Sequence, residues 1–252
     1  QKNGPLLASP DLDRVSALTA NETDMAYRRR IPTMMGWLDL RDGDVVLDCG
    51  CGMGYLSAVM SKLRDVTVVG VDGDIDRLRW AAAEHVDSAR AVVAIEHLPF
   101  PDATFDKVLL SEVLEHLADD VDGLVEIRRV LKPGGVLCLS VPHANYPPAW
   151  DPFNAALETF GWPPMRSAGP ITGQWSNHER LYLPADLERA LVRGGFSIEA
   201  MAEQTSRTVP LNHVLVYSLG KPLIEKGLLP RRMRDASDRF RSEDNATGSR
   251  QP

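Results

Sequence analysis

The chain has 252 residues, of which 44% are hydrophobic and 25% are charged, a composition typical of one globular domain with a sizeable core and an added segment. Its formal net charge of −7 argues against a large phosphate-binding face, so we expect no nucleic-acid partner. The sequence shows neither a charged-then-apolar leader nor an apolar run of the roughly 18 residues that a membrane helix needs, so we expect a cytoplasmic protein.

The first part of the chain is organised as an arm followed by alternating strands and helices. Residues 1–43 form the N-terminal arm, in which Asn21–Leu38 has a helical pattern. Short β-branched runs then alternate with helical patterns such as Asp119–Leu131, which predicts an α/β, doubly wound, Rossmann-like domain over residues 44–220. Five of its strands are predicted at Asp44–Asp48, Val66–Asp72, Ala91–Ile95, Phe105–Ser111 and Gly135–Val141.

The alternation stops after the fifth predicted strand. Residues 143–182 are rich in proline and aromatic residues, and we expect them to form a lid insertion over the acceptor. The aromatic side chains that would line the lid are Trp150, Phe153, Trp162 and Trp175. The alternative is that they form the insertion's own small core. A helix at Pro184–Val192 and a hairpin of two closing strands, Phe196–Ala202 and Asn212–Ser218, are predicted to complete the domain.

Residues 221–252 are predicted to form a separate C-terminal segment. Lys221–Arg241 is basic and helical in pattern, and Ser242–Pro252 is polar and expected to be disordered. An apolar stretch with a cationic end is compatible with peripheral contact with an anionic lipid surface. Packing against its own domain or against a homodimer partner is the alternative.

A glycine-rich turn follows the first predicted strand. Gly50, Gly52 and Gly54 come directly after Asp48 and Cys49, and a helix is predicted immediately afterwards, at Tyr55–Leu63. Glycine lets the backbone approach a ligand closely, and the first turn of a helix has unpaired amide groups, so a small polar ligand is expected here. Nicotinamide and flavin enzymes also use such a turn, so the turn alone does not identify the ligand.

Four motifs together narrow the choice of ligand. Asp72 ends the second predicted strand, where its two oxygens can accept from both hydroxyls of a ribose. Together with Asp48 and the glycine turn, Leu98–Asp106 and Val113–His116, it forms a set that resembles the class I S-adenosylmethionine-dependent methyltransferases, in particular the ubiquinone, menaquinone and natural-product enzymes. The resemblance covers about residues 44–196. It implies a seven-stranded sheet whose last strand is antiparallel, with S-adenosylmethionine across the carboxyl ends of the first strands.

The resemblance also implies which residues hold the cofactor. Asp48 and the glycine turn would face the methionine part, Ser111 its amino group, and Glu96–His97 the adenine. Relatives often have an acid where this chain has Ala94, so adenine recognition would depend on backbone groups or on Glu96. Tyr27 and the three arginines after it would close over the cofactor carboxylate, unless they are simply a solvated charge run. The implied cofactor-binding residues are Tyr27, Arg28, Asp48, Gly50, Cys51, Gly52, Gly54, Asp72, Gly73, Glu96, His97 and Ser111.

Candidates for the chemistry follow the fourth predicted strand, in the pattern Glu112-x-x-Glu115-His116. Similar pentads bind a divalent cation in ubiquinone-biosynthetic O-methyltransferases and small-RNA 2′-O-methyltransferases, usually with a further histidine downstream, for which His178 is the candidate here. The three residues of the pentad can share one helical face, and a cation such as magnesium would then polarise an acceptor hydroxyl. In metal-free relatives His116 lines the acceptor pocket as a base; His178 and His143 are the other candidate bases, and a structural role is the remaining alternative.

The function expected from these motifs is methyl transfer from S-adenosylmethionine to a small molecule. The acidic balance, the aromatic insertion and the histidines favour an oxygen acceptor on a natural product, a lipid-like quinol or a glycan. The alternatives are a protein or RNA methyltransferase, a cofactor-binding regulatory protein that performs no transfer, and a nicotinamide-binding protein with the same fold.

Overall fold

The computed structural model describes residues 9–83, 89–148, 150–166, 175, 177–204, 223 and 238. Among these residues five strands form one sheet in the order β3-β2-β1-β4-β5, and every neighbouring pair is parallel. The strands are β1 (Val45–Cys49), β2 (Thr67–Asp72), β3 (Ala89–Val92), β4 (Phe105–Ser111) and β5 (Leu131–Ser140). The predicted α/β fold with parallel strands is therefore present.

Helices cover both faces of the sheet. They are α1 (Ser9–Leu18), α2 (Met25–Leu38), α3 (Tyr55–Leu63), α4 (Ile75–Ala83), α5 (Asp120–Val130), α6 (Pro152–Thr159) and α7 (Pro184–Arg193). Because successive side chains of a strand point to opposite faces, Leu47 packs in a core cluster with α5 and α7, while Val46 packs in a second cluster with α1, α2 and α3. Arm helices α1 and α2 therefore contribute buried side chains to the second core.

The start of α2 is set by its capping residue. Asp24 Oδ1 accepts the backbone N–H groups of Ala26 and Tyr27 at 2.9 and 3.1 Å, which satisfies two amides of the first turn. The helix therefore begins at Met25, four residues after the predicted start at Asn21. This capping residue fixes the start of the helix and so the positions of Tyr27 in the first turn and Arg30 in the second.

The prediction of a seven-stranded sheet with an antiparallel last strand is wrong. The described sheet has five strands, all parallel, and residues 196–202 form no strand. Phe196 and Ile198 pack instead against the core cluster under α7, so their apolar alternation reflects the packing of an irregular segment. The other predicted strand, Asn212–Ser218, lies outside the described residues.

Two strand boundaries differ from the predicted ones for local reasons. β5 begins at Leu131 rather than Gly135, because Leu131 already pairs with Phe105 of β4. The register between the two strands then shifts, so that Lys107 pairs with Val136. β3 begins at Ala89 and ends at Val92, and Ile95 belongs to the short 3-10 turn Ile95–His97.

The C-terminal prediction cannot be compared in the same way. Lys221–Arg241 and Ser242–Pro252 lie outside the described residues except for Leu223 and Asp238. Within the part of the chain that is described, none of the helices combines the length and the apolar character needed to cross a bilayer.

Candidate active site

One cleft opens at the carboxyl ends of the strands and brings most of the predicted site residues together. Its wall includes Tyr27, Arg30, Asp48, Gly50, Cys51, Gly52, Ser111, Glu112, His116, His143 and His178. The predicted cofactor residues that do not contribute to this wall in the described part of the chain are Arg28, Gly54, Asp72, Gly73, Glu96 and His97. Arg30, rather than Arg28, is the arginine of the arm that faces the cleft.

The glycine turn forms a cradle at the floor of the cleft. Gly50, Gly52 and Gly54 have φ angles of 77°, 55° and 77°, a left-handed backbone that favours glycine. The N–H groups of Gly50 and Cys51 both donate to the carbonyl oxygen of Val71, at 2.7 and 2.9 Å, which ties the turn to β2. A Cβ added at Gly52 would meet no atom within 4 Å, so this glycine borders open space into which a ligand can fit.

Asp48 lies beneath the turn and is 2% exposed. The hydroxyl of Ser57 donates to its Oδ2 at 2.6 Å. The pKa of Asp48 is raised to about 6, mainly by burial and to a smaller extent by the nearby charge of Asp72, and the hydrogen bonds with Ser57 limit this rise. Asp48 is therefore held in place by the hydroxyl of Ser57, and its carboxyl group, with a pKa raised to about 6, borders the cleft.

Asp72 supports the same turn from the end of β2. Its Oδ2 accepts the N–H of Gly52 at 2.7 Å, and its Oδ1 accepts the N–H of Asp74 at 2.9 Å. A carboxylate has about four lone-pair sites, so both oxygens can still accept from hydroxyl groups. Gly73 has open space where a Cβ would lie. Asp72 is buried and does not line the cleft, so these contacts hold the turn in place, and the ribose role that the resemblance implies stays a prediction.

The adenine side is less well defined by its contacts. Glu96 is half-buried and His97 exposed, both in the 3-10 turn after β3. The N–H of Leu98, which follows them, donates to Glu126 Oε1 at 2.9 Å. The turn is thus anchored to α5, while Ala94 stands at the position where relatives often have an acid.

The side chain of Glu112 is directed toward the N-terminal arm. Its Oε1 accepts from Arg30 Nη1 at 3.1 Å and from the hydroxyl of Ser140 at 2.9 Å. The guanidinium of Arg30 also lies over the ring of Tyr27, with Cζ 5.5 Å from the ring centroid. Glu112 has a φ of 56° and is outside the 3-10 turn that carries Glu115 and His116, so the pentad does not form one helical face.

The other two members of the pentad form a cluster with His178. The Nε2 atoms of His116 and His178 each lie 3.9 Å from Oε1 of Glu115, and the two rings meet edge to face with centroids 4.7 Å apart. One ligand atom from each of the three residues falls within 4.8 Å of the others. We call Glu115, His116 and His178 the histidine–carboxylate cluster.

Glu115 is fully buried, and neither of its oxygens has a hydrogen-bond donor among the described residues. Burial raises its pKa to about 9, and the charge of Glu112 adds to this effect. A buried carboxylate without donors is costly unless it is protonated or meets a cation. The cluster therefore has the electrostatic character of a cation or proton site.

The tautomer of His116 leaves its other nitrogen available to the cluster. Its Nδ1 lies 2.8 Å from the carbonyl oxygen of Asn177, which can only accept, so Nδ1 carries the proton. The lone pair of neutral His116 is then on Nε2, the atom that faces Glu115. A backbone carbonyl behind one ring nitrogen is the usual support of a metal-binding or basic histidine.

His178 reaches the cluster on a short segment, residues 177–182, that crosses the end of the sheet. The N–H of Glu179 donates to the carbonyl oxygen of Glu115 at 2.9 Å. Arg180 donates to the carbonyl oxygens of Leu117 and Ala118, at 2.7 Å each. Sequence reasoning missed Arg180, although it lies in the Asn-His-Glu-Arg run that indicated His178.

His143 has the opposite arrangement of ring nitrogens. Its Nδ1 accepts the N–H of Asn145 at 2.9 Å, so the neutral ring carries its proton on Nε2. That Nε2 has no hydrogen-bond partner among the described residues, and Glu203 Oε1 is 3.7 Å away. In this geometry His143 is a hydrogen-bond donor to the cleft, and its basic nitrogen is already engaged.

The aromatic residues of the insertion do not act as one group. Trp150 lines the cleft. Phe153 on α6 and Trp162 after it are 54% and 63% exposed, and Trp175 donates from its ring nitrogen to Glu158 at 2.8 Å. Of the four predicted lid aromatics, Trp150 is therefore the one that lines the cleft among the described residues.

Comparisons with known proteins agree with this site. A family model described as "Methyltransferase domain" matches residues 47–139, from β1 through most of β5. A "Probable S-adenosylmethionine-dependent methyltransferase" of Mycolicibacterium smegmatis is 31% identical over 186 residues, which cover 64% of this chain and 70% of that protein. The chain belongs to the S-adenosylmethionine-dependent methyltransferases, as predicted. The methyl donor of this family is S-adenosylmethionine.

Two further comparisons extend this finding. The 27-O-demethylrifamycin SV methyltransferase of Amycolatopsis mediterranei is 37% identical over 121 residues, or 45% of this chain and 44% of that protein, and quinone-biosynthetic methyltransferases are also among the relatives. A crystal structure of a Bacillus halodurans protein described as a methyltransferase matches with a TM-score of 0.55 and 25% identity, over 68% of this chain and 71% of that one. The chain spans less than half the length of the first curated relatives that it matches.

Proposed function

We propose that the chain is an O-methyltransferase that acts on a hydroxyl group of a small molecule, such as a natural product, a lipid-like quinol or a glycan. The observation that carries this proposal is the histidine–carboxylate cluster, whose two histidines line the same cleft as the glycine turn while Glu115 lies buried behind them. An oxygen acceptor must lose a proton, and this cluster offers groups that promote that loss. Relatives that methylate a rifamycin and quinone precursors support the small-molecule class.

We further propose that Glu115, His116 and His178 hold a divalent cation. Three protein ligands leave coordination positions open for an acceptor, which is the arrangement of catalytic rather than structural metal sites. Metal coordination lowers the pKa of a bound hydroxyl and so favours its ionisation. The donor-free oxygens of Glu115 and the lone pair on His116 Nε2 fit this role.

The ligand atoms of the cluster influence which cation binds. Two imidazole nitrogens and one carboxylate suit manganese, cobalt, iron or zinc better than magnesium, which prefers oxygen ligands. Glu112 would have supplied the second carboxylate, but its side chain contacts Arg30 and Ser140. We therefore expect a transition metal to support activity better than magnesium.

The test is methyl transfer by the purified protein to a panel of hydroxylated acceptors, with the mass gain of one methylene as readout. Reactions contain a chelator, or chelator followed by excess manganese, cobalt, zinc or magnesium. Loss of transfer in the chelator and its return with manganese, but poorly with magnesium, is expected. Glu188→Gln, an exposed acid on α7, is the matched control for Glu115→Gln.

Each result has a distinct meaning. Transfer that is unchanged in the chelator but lost in His116→Gln would replace the cation with His116 as a general base. Transfer to nitrogen or carbon acceptors only, with none to hydroxyl groups, would reject the O-methyltransferase.

A further inference from the structure

Asn177 has a backbone conformation that residues with a Cβ rarely adopt. Its φ of 60° lies in the left-handed region, which asparagine tolerates better than most other residues. Asn177 is the third residue of a turn that is closed by the N–H of His178, which donates to the carbonyl oxygen of Trp175 at 3.2 Å. The left-handed conformation is therefore part of the turn that leads directly into His178.

Both backbone polar groups of Asn177 are engaged by other segments of the chain. Its N–H donates to the carbonyl oxygen of Arg166 in the insertion, at 2.9 Å. Its carbonyl oxygen accepts from Nδ1 of His116, at 2.8 Å. A rotation of the backbone at Asn177 would break at least one of these bonds, and strain of this kind persists where surrounding contacts enforce it.

This single residue acts on both imidazoles of the histidine–carboxylate cluster. Its carbonyl oxygen keeps the proton of His116 on Nδ1, which leaves the lone pair of Nε2 directed at Glu115. His178 is the next residue along the chain, so the φ of Asn177 helps to set the direction in which His178 leaves the turn. The outcome is the edge-to-face contact of the two rings, with centroids 4.7 Å apart.

We propose that Asn177 is a positioning residue of the cluster, and that its left-handed backbone places both histidines at once. It holds His116 through a hydrogen bond and His178 through the direction of the chain. The consequence for cation binding rests on the proposed function, whereas the arrangement of the two rings does not. The conformation at position 177 then determines how much of the protein is ready to bind a cation.

The size of the effect follows from the cost of the left-handed region. A side chain that disfavours this region lets the turn relax, and a cation then has to restore the competent turn from a smaller population. We expect Asn177→Ala to weaken manganese binding by about 3-fold and Asn177→Val by about 10-fold to 30-fold, because a β-branched residue tolerates this region least. Asn177→Gly should bind within about 2-fold of the wild type, since glycine adopts a positive φ without strain.

The test has one readout with the cation and one without it. Manganese affinity is measured by calorimetry on the full chain for the wild type and the three variants. In metal-free protein, the imidazole ¹⁵N chemical shifts report the tautomer of His116, and the nuclear Overhauser effect between the two rings reports their contact. Asn177→Gly should keep the Nδ1–H tautomer and the ring contact, and Asn177→Val should weaken both.

Asp39→Val is the matched control. Asp39 also has a left-handed backbone, with φ of 47°, but it caps the end of α2 just ahead of β1, at the opposite end of the sheet. This variant should lose stability while keeping the manganese affinity and the His116 tautomer of the wild type. If Asn177→Val does not fold, the order of Asn177→Gly and Asn177→Ala carries the same test.

The two readouts separate this inference from the proposed function. Wild-type protein that binds no manganese would reject the cation, and the metal-free spectra would then decide the role of Asn177 alone. An unchanged His116 tautomer and an unchanged ring contact in Asn177→Val would overturn the positioning role. Weaker manganese binding in Asn177→Gly than in Asn177→Ala would also overturn it, because the effect would not follow the backbone conformation.

Discussion

Glu115 and His178 face each other at the end of the sheet, with His178 Nε2 3.9 Å from Glu115 Oε1. Glu115 comes from the turn after β4, and His178 lies near the end of the 143–182 insertion, so no local pattern brings them together. The carboxylate is fully buried and without a donor among the described residues. This costs stability in the absence of a cation, and the cost can be measured.

Glu115→Gln is expected to stabilise the protein in a chelator, because it removes an ionisable group from a buried site. An increase of about 1 kcal/mol in the free energy of unfolding corresponds to a rise in Tm of about 2–4 °C for a domain of this size. Manganese should raise the Tm of the wild type and leave that of the variant unchanged. Glu112→Gln is the matched control and should lower the Tm, since it removes an ion pair with Arg30. A variant less stable than the wild type in the chelator would contradict this account of Glu115.

Arg180→Ala is expected to weaken cation binding without touching a ligand. Its two hydrogen bonds to Leu117 and Ala118 hold the segment that carries His178. Their loss should reduce the free energy of unfolding by about 2 kcal/mol and weaken manganese binding, both measurable by urea denaturation and calorimetry. Tyr182→Phe removes the hydroxyl that bonds Asp120 and also contacts Arg180, but it leaves the two Arg180 hydrogen bonds to Leu117 and Ala118 in place, so it should lower stability without altering manganese affinity. Wild-type manganese affinity in Arg180→Ala would show that the segment is held by other contacts.

Two glycines of the cradle should respond differently to the same substitution. In Gly50→Ala the new Cβ would lie 2.2 Å from Val113 Cγ2, so unfolding free energy should fall by about 2 kcal/mol or more. In Gly52→Ala nothing is within 4 Å, so the backbone strain alone should cost about 1 kcal/mol, but the Cβ intrudes on the ligand's space. Urea denaturation and S-adenosylhomocysteine calorimetry separate the two effects. Wild-type ligand affinity in Gly52→Ala would mean that the cradle faces elsewhere.

Asp48→Asn should stabilise the protein at neutral pH but not in mild acid. Burial raises the pKa of Asp48 from 3.8 to about 6, so between these values the folded state keeps a proton that the unfolded state has lost. Wild-type stability therefore falls as pH rises through this window, and the neutral amide avoids the loss. The difference in unfolding free energy should grow from near zero at about pH 4 to at most about 3 kcal/mol at about pH 7. A pH-independent difference would contradict the assignment.

Local sequence patterns were sufficient to predict much of the sheet and the position of the glycine turn. β1, β2 and β4 lie where short, nearly continuous apolar runs rich in β-branched residues predicted them, because their side chains pack on both faces of the sheet. The glycine turn after β1 and Asp72 at the end of β2 were expected at the same edge of the sheet, and the N–H of Gly52 does donate to Asp72. The first predicted closing strand was not derivable in this way, since Phe196–Ala202 has the alternation of a strand but packs without a ladder; the second, Asn212–Ser218, lies outside the described residues.

The sequence by itself determined the parallel α/β fold, the methyl donor and the residue types available for chemistry, because these depend on periodicity and on short-range spacing. Only the tertiary structure decided which of the acids and histidines lie together. The left-handed backbone of Glu112 directs its carboxylate to Arg30, while residues 177–182 bring His178 to Glu115 and His116. Such pairings depend on which distant elements come into contact, and the spacing Glu-x-x-Glu-His carries no information about those contacts.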